Sequence, residues 1–220
     1  MAYKIFLSPS NQTDNKYAAG NTTEAVQCGL IAQATEKILK RCGFDVKLLH
    51  YYDMATKVKV ANDWNADLYV PIHTNAFNRK VGGTRIFYYS RESKGYKAAQ
   101  CVYKYLKPLS IGTSDNISAY PDLYEIKYPE APTVYVEAEF HDNPEYADWI
   151  IENIDNIAEA IAKGICEYFG IKFVEEAKPT IKPAETALYR VQVGAFSKRE
   201  NAEKMLAALK AAGFEGYIRT

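Results

Sequence analysis

Long apolar runs are absent from the sequence, and this absence excludes one class of proteins. No stretch approaches the roughly 18 consecutive apolar residues that a membrane-crossing helix needs, so we expect no membrane insertion. The N-terminus, residues 1–7, has no basic segment followed by a longer apolar one. Because it shows no signal peptide, the chain is expected to be made as a cytoplasmic protein.

The sequence also lacks net charge and clustered cysteines. Lys and Arg together number 27, as do Asp and Glu, so no overall field attracts nucleic acid or an anionic membrane and we expect no nucleic-acid partner. Cys28, Cys42, Cys101 and Cys166 are widely spaced. This spacing is unlike a disulfide framework or a CxxC metal site, and it favours buried thiols.

Short apolar runs alternate with amphipathic stretches along most of the chain. This rhythm predicts an α/β fold, with a twisted, mostly parallel sheet flanked by helices on both faces. The apolar content of 48% over 220 residues is enough for one substantial core. Strands are predicted at residues 4–7, 46–49, 68–72, 84–89 and 133–136.

Helices are predicted between these strands. The first begins after the polar residues 21–23 and ends at Gly43, and others cover residues 54–65 and 93–106. A last large helix has an apolar face running from Ile150 to Ile165. Residues 109–132, rich in Ser, Gly, Pro and Tyr, are predicted to form a long surface loop that carries function.

The composition changes near residue 174, which predicts a second, smaller unit. We expect a main domain over residues 1–173, a linker over 174–187 and a small β-α-β module over 188–220. The module should contain a strand at 189–196, a helix that starts at a capping box of Ser197 and Glu200, and a second strand at 214–219. Gly213 should close the helix.

Histidine is scarce, and two of the three histidines follow predicted strands. His73 and His141 lie at carboxyl ends of strands, where α/β sheets place their sites. Glu24 lies in the first turn of the first helix, and Glu137 ends an otherwise apolar strand. Each has an ordinary alternative: a hydrogen-bonded histidine, or a carboxylate that favours a helix N-terminus. Glu137 is harder to explain, since burying a carboxylate is costly unless it is paired, metal-bound or catalytic.

These residue types together predict a hydrolytic zinc centre. Two imidazoles and one carboxylate bind Zn²⁺ and leave one position open for water. The metal lowers the pKa of that water, and a nearby carboxylate that is not a ligand accepts its proton. Glu137 suits the second role.

The sequence from Tyr3 to about Phe169 resembles a known family, the zinc-dependent N-acetylmuramoyl-L-alanine amidases of the amidase 3 type. Four features carry the resemblance: Phe6-Leu-Ser-Pro-Ser, Glu24, Pro71-Ile-His73-Thr-Asn75-Ala76, and Pro132-Thr-Val-Tyr-Val-Glu137-Ala-Glu-Phe140-His-Asp-Asn143-Pro. The resemblance implies that the protein cleaves the amide bond between N-acetylmuramic acid and L-alanine in bacterial peptidoglycan. It would therefore act on the cell wall, as a phage endolysin or a bacterial autolysin.

The resemblance also implies roles for individual residues. Glu24 and His73 match metal ligands, and Glu137 matches the catalytic carboxylate, with Glu139 as the alternative. Asn75 matches a position beside a ligand, where its amide would orient substrate or form a turn.

One departure from the family pattern concerns its first histidine ligand. The family carries an Asp-Pro-Gly-His motif after the first strand, whereas this chain has Asn11 and Gln12 in that segment. A neutral amide is a poor zinc ligand beside imidazole and carboxylate, so we assign Asn11 and Gln12 to substrate binding. His141, four residues beyond Glu137, is our hypothesis for the third ligand.

The C-terminal module resembles the first half of a SPOR repeat, a peptidoglycan-binding unit. The stretch Val-Gln-Val-Gly-Ala-Phe at 191–196 carries this resemblance. A lone β-α-β unit leaves a sheet edge uncovered, so pairing with a second copy in a homodimer is one expectation.

Two other interpretations of the sequence remain open. The chain could be a degenerate, non-catalytic peptidoglycan-binding protein that has lost a ligand. It could also be a flavodoxin-like domain without metal, although residues 8–12 lack the glycines of a phosphate loop.

Overall fold

The computed structural model describes residues 2–176 and 192–218. The chain divides into two compact units, Met1–Glu176 and Ala177–Thr220. Among the described residues, no helix is both long and apolar enough to cross a membrane. Most of the predicted linker, residues 177–187, lies outside the described residues, so the predicted domain boundaries stay predictions.

The first unit alternates strands and helices. The strands are β1 (Lys4–Pro9), β2 (Asp45–Leu48), β3 (Leu68–Asn75), β4 (Arg85–Tyr88), β5 (Asn116–Ala119) and β6 (Tyr135–Phe140). The helices are α1 (Glu24–Arg41), α2 (Met54–Asp63), α3 (Lys94–Leu106), α4 (Tyr124–Lys127), α5 (Pro144–Glu152) and α6 (Ile154–Phe169), and the second unit contains α7 (Arg199–Ala211).

The six strands form one mixed sheet in the order β2-β1-β3-β6-β4-β5. Four of the neighbouring pairs are parallel, and the fifth pair, β4 with β6, is antiparallel. The predicted α/β fold with a mostly parallel sheet is therefore confirmed. β6 comes last in the sequence but lies between β3 and β4.

Alternate residues along β1 and β3 pack into two separate cores. Ile5 and Val70 pack into the larger core with residues of α1, α3 and α6. Phe6 and Tyr69 point the other way and pack with Val58 of α2. Full burial of each aliphatic side chain contributes about 1.5–3 kcal/mol, so this two-sided packing fixes the position of the central strands.

Towards β4, the second face of the sheet is open. Ile86 and Tyr88 are buried, whereas Arg85 and Phe87 between them are partly exposed. Side chains alternate between the two faces of a strand, so solvent reaches β4 from one side only.

Several predicted elements differ from the structure. The last large helix is two helices, because the chain breaks its helical geometry at Asn153, where φ is −116° and ψ is 22°. The predicted loop at 109–132 contains β5 and α4. In the second unit, residues 192–196 and 214–218 form no strand, and no side chain caps α7, so the predicted β-α-β strands and capping box are wrong for the described residues.

Candidate active site

Pairing of β3 with β6 sets two of the predicted site residues side by side, although Glu137 lies within β6 and not at the strand end where the sequence placed it. Parallel pairing places His73 opposite Glu137. Antiparallel pairing of β4 places Arg85 opposite Glu137 on the other side. Directly opposed residues project from the same face of a sheet, so the three side chains form a row across the face that is open at β4.

Glu24 joins this row from the start of α1. The Thr23 hydroxyl caps the helix by accepting from the Val26 amide, which sets Glu24 in the first turn. Its Oε1 lies 2.9 Å from His73 Nδ1, and both side chains are buried. Burial alone would raise the pKa of Glu24, but the hydrogen bond and positive charge of His73 outweigh it and the pKa is lowered.

His73 has a second carboxylate on its other nitrogen. Nε2 lies 3.4 Å from Glu125 Oε2, and the imidazole stacks on the Tyr135 ring with centroids 4.7 Å apart. Burial would lower the pKa of His73, but the contacts with Glu125 and Glu24 raise it to about 9. Two carboxylates and one aromatic ring therefore hold this imidazole.

Glu137 is the carboxylate without a partner. Its Oε2 is inaccessible to solvent and makes no hydrogen bond to any described residue. Burial raises the pKa of Glu137 to about 8, since the opposing effects of His73 and Arg85 are smaller. An unpaired buried carboxyl beside a histidine is typical of a catalytic site rather than of a structural one.

Glu139, the alternative to Glu137, has a structural environment. Its carboxylate accepts hydrogen bonds from the Gly83 amide, from the Phe140 amide at 3.0 Å and from the Ser110 hydroxyl at 3.0 Å. These contacts fix the loops next to β4. The geometry therefore favours Glu137 over Glu139 as the catalytic carboxylate.

His141 lies at the same end of the sheet but faces a different set of groups. Its Nδ1 lies 2.9 Å from the Thr74 hydroxyl, which lies 2.9 Å from the Tyr17 hydroxyl. The Tyr17 ring stacks on the imidazole with centroids 5.0 Å apart. Within residues 2–176 and 192–218, His141 makes no hydrogen bond to Glu24 or His73. The structure therefore does not bring the predicted third ligand into contact with the other two.

The three predicted substrate-binding residues lie in different settings. Gln12 reaches the site, where its Nε2 lies 3.3 Å from Glu24 Oε1. The Asn11 side chain instead donates to the Tyr52 carbonyl at 2.9 Å. Asn75 Oδ1 accepts from the Ala76 amide at 2.8 Å, so its side chain forms the turn that follows β3.

Glu125 is the site residue that sequence reasoning missed. It lies on α4, inside the predicted loop, and accepts hydrogen bonds from Tyr69 at 2.7 Å and from Ser8. A second buried charged residue, Lys57, lies nearby and donates to the Pro9 carbonyl at 2.6 Å. No local pattern marks either residue as buried, although Ser8, in place of the Asp of the family motif, was the one available signal.

The donor set fits a divalent cation in part. Glu24 Oε1 and His73 Nδ1 face each other across 2.9 Å, as two ligands of one ion would. The buried Glu137 Oε2 without a partner would gain a neighbouring positive charge. Among the residues that the structure describes, however, no three His, Cys, Asp or Glu side chains are arranged to hold a metal ion. The described residues thus offer a hydrogen-bonded pair, Glu24 and His73, and no complete set of three ligands.

Comparison with protein families gives two matches. The sequence profile of a family described as N-acetylmuramoyl-L-alanine amidase matches residues 5–167. A SPOR domain profile matches residues 176–220. The chain is 25% identical over 226 residues to the sporulation-specific N-acetylmuramoyl-L-alanine amidase of Bacillus subtilis (strain 168), covering 98% of this chain and 84% of that protein.

Solved structures share the fold. The catalytic domain of CwlV, an N-acetylmuramoyl-L-alanine amidase from Bacillus (Paenibacillus) polymyxa var. colistinus, superposes with a TM-score of 0.69 at 22% identity, covering 78% of this chain and 100% of that one. The N-acetylmuramoyl-L-alanine amidase AmiC2 of Nostoc punctiforme gives a TM-score of 0.69 at 21% identity, with coverage of 76% and 97%.

Proposed function

Because the chain belongs to the N-acetylmuramoyl-L-alanine amidase family, we propose that it hydrolyses the amide bond between N-acetylmuramic acid and L-alanine in bacterial peptidoglycan. Its place of action is the cell wall, as an endolysin or an autolysin. One observation carries the proposal: the Glu137 Oε2 atom is buried, makes no hydrogen bond to a described residue and lies beside His73 at the open face of the sheet.

Zinc is the cofactor that this proposal requires, and Glu24 and His73 would hold it. A Zn²⁺ ion held there would supply Lewis-acid chemistry, polarising the scissile carbonyl and lowering the pKa of a water molecule. Glu137 accepts the proton of the attacking water and returns it to the departing amine of L-alanine. We propose that Gln12, beside Glu24, contacts substrate, and that Asn11 and Asn75 contribute by holding the neighbouring loops through the Tyr52 carbonyl and the Ala76 amide.

We assign the third ligand position to His141 through Nε2. Its Nδ1 is engaged by Thr74, and a hydrogen bond at one imidazole nitrogen is how proteins orient the other towards a metal. The assignment requires His141 to approach Glu24 and His73. Gln12, already 3.3 Å from Glu24, is the competing group.

A second function is favoured by the residue at the first ligand position. Asn11 replaces the family's histidine, and its amide points to the Tyr52 carbonyl. If no third ligand is recruited, the chain would be a non-catalytic peptidoglycan-binding protein. The unpaired carboxyl oxygen of Glu137 destabilises the folded chain and has no role in a binding protein. Its presence therefore favours the enzyme.

The C-terminal unit supports wall binding. Its match to the SPOR profile leads us to propose that it binds peptidoglycan. Val193, Phe214 and Tyr217 are largely exposed for apolar residues, which favours pairing of two copies into a homodimer. Sedimentation of the full chain as a monomer at high micromolar concentration would contradict the pairing.

The decisive experiment combines metal analysis with wall lysis. The full chain, Glu137→Ala and an exposed control, Glu145→Ala, are each assayed for bound zinc, for clearing of purified peptidoglycan and for new N-terminal alanine. We expect about one zinc per chain in all three and lysis by the wild type and control alone. Zinc-free protein that binds the wall without cutting it would establish the non-catalytic alternative.

A further inference from the structure

Arg85 places a positive charge on the open face of the sheet. It lies on β4 directly opposite Glu137, and the alternation of partly exposed and buried residues along β4 puts its side chain on the open side. Arg85 forms an ion pair with none of the described Asp and Glu side chains, Glu137 included. The described part of the chain therefore supplies no carboxylate to bind this guanidinium.

The guanidinium is also short of hydrogen-bond acceptors. It carries several N–H donors, and within residues 2–176 and 192–218 its one hydrogen bond runs from Nη2 to the Ser114 hydroxyl at 3.4 Å. The Nε atom is inaccessible to solvent and has no partner among those residues. Because an unpaired buried donor is destabilising, the contacts within the chain do not account for an arginine at this position.

Aromatic rings lie close to this guanidinium. Its central carbon is 5.1 Å from the centroid of the Phe140 ring. On the open face, the Phe87 ring centroid is 6.1 Å from that of Tyr135 and 5.5 Å from that of Tyr120. An arginine stacked on a ring keeps the N–H groups at its edge free to donate. The surface beside Glu137 therefore suits a ligand that carries an anionic group on a less polar frame.

The position of Arg85 beside Glu137 sets how far a bound anion lies from the bond that is cut. Neighbouring strands are about 4.8 Å apart, and an extended peptide advances about 3.3–3.6 Å per residue. The residue that follows L-alanine in the stem peptide therefore spans most of this distance. That residue is a glutamate, whose carboxylate is either free or converted to a carboxamide.

We propose that Arg85 is a substrate-binding residue, whose guanidinium donates to the carboxylate of the second stem residue, so that the chain favours stems with a free carboxylate there over amidated stems. This inference rests on the proposed function and deepens it, since it concerns the substrate of the same site. Arginine suits the role because its planar donors bind both oxygens of a carboxylate at once.

Two synthetic muramoyl dipeptides are the probes, one with a free carboxylate on its second residue and one with the carboxamide. Calorimetry measures their dissociation constants for the full chain with a chelator present, so that the probes stay intact. The wild type should bind the carboxylate about 10-fold more tightly, because hydrogen bonds to a charged group are stronger than neutral ones. If binding requires zinc, the ratio of the two KM values on the zinc-loaded chain replaces this measurement.

Three variants separate substrate binding from a structural role. Arg85→Gln removes the charge and should bind both probes equally, to within about twofold. Arg85→Lys keeps the charge without the paired donors and should retain a preference of about threefold. Arg91→Gln is the matched control, because Arg91 is exposed and lies beyond the end of β4. It should keep the full preference of the wild type.

Chemical labelling gives a readout that needs no variant. Phenylglyoxal modifies arginine side chains, and mass spectrometry identifies the modified positions. At a concentration of about ten times its dissociation constant, the carboxylate probe should slow the labelling of Arg85 about 10-fold. Labelling of Arg91 should not change with either probe.

The outcomes separate this inference from the amidase proposal. Equal affinity of the wild type for both probes overturns the inference, and so does a preference that survives in Arg85→Gln. Should that variant fail to fold, unchanged labelling of Arg85 in the presence of the carboxylate probe overturns it as well. Cleavage of both probes by the zinc-loaded chain would then leave the amidase proposal intact. A chain that neither binds nor cleaves either probe overturns both.

Discussion

At the scale of single residues, Glu137 is in a costly position. A carboxyl whose pKa is raised holds its proton more tightly in the folded chain than in the unfolded one. The pKa of Glu137 is raised from 4.5 to about 8. The raised pKa therefore leaves the free energy of unfolding unchanged below about pH 4.5. It lowers that free energy as the pH rises from there towards 8.

This reasoning predicts the effect of Glu137→Gln on zinc-free protein. At pH 8 the variant should unfold with a free energy about 4 kcal/mol higher than the wild type, because a pKa raised from 4.5 to about 8 costs about 1.4 kcal/mol for each pH unit between the two values. Near pH 4.5 the two should be equal. Urea unfolding in the presence of a chelator measures both. A variant less stable than the wild type at pH 8 would contradict the assignment of an unpaired carboxyl.

The third metal ligand gives a second residue-scale prediction. On the proposed assignment, His141→Ala should lose most of its bound zinc in elemental analysis, since one of the three proposed ligands is removed. Gln12→Ala, which alters the amide next to Glu24, serves as the comparison and should keep about one zinc per chain. The reverse result would make Gln12 the ligand and His141 a structural residue of the Tyr17 and Thr74 network.

The sequence predicted which residues would meet at the sheet edge better than it predicted their neighbours. Glu24 begins α1, while His73 and Glu137 lie on the paired strands β3 and β6, and the structure places the three together. Glu125 was missed because it lies in a polar segment where nothing in the local pattern indicates burial. Its environment depends on Ser8, more than a hundred residues earlier in the chain.

At the scale of elements, the closest helix packing is between α3 and α6. A methyl group added at Gly164 would collide with the Val102 Cα. Because the obstacle is backbone, the helices must separate to accept it.

Gly164→Ala should therefore lower the free energy of unfolding by about 1–3 kcal/mol, as overpacking does. Asn156→Ala, at an exposed site on the same helix, should change it by less than about 0.5 kcal/mol. Chemical denaturation of both variants measures the difference. Equal stability of the two would show that α3 and α6 are free to shift apart.

Five predicted strands and the early helices agree with the structure because their apolar patterns report burial directly. β5 was missed since it has four residues, pairs with β4 alone and buries none of them. The break between α5 and α6 was missed because apolar spacing continues across Asn153. The strands predicted in the second unit do not form among its described residues, because a pattern of alternation cannot supply the partner strand.

At the scale of the whole molecule, the two compact units predict separable properties. A chain of residues 1–176 should melt at the temperature of the first transition of the full chain and cleave soluble muropeptides at the same rate. It should clear intact cell walls more slowly, because the second attachment point that raises local concentration is lost. Calorimetry and paired assays on soluble and insoluble substrate test this. Equal clearing of intact walls by both chains would exclude wall binding by the second unit.

β6 is the last strand of the sheet to be synthesised, and it fills the gap between β3 and β4. While translation proceeds through residues 89–134, both neighbouring strands have an open edge, which invites pairing with other chains. A ribosome-bound fragment in this interval already carries Glu24 and His73 but not Glu137, the proposed proton acceptor. The capacity to cut the wall therefore arises only when the sheet closes, and products of early termination should be inert and prone to aggregate.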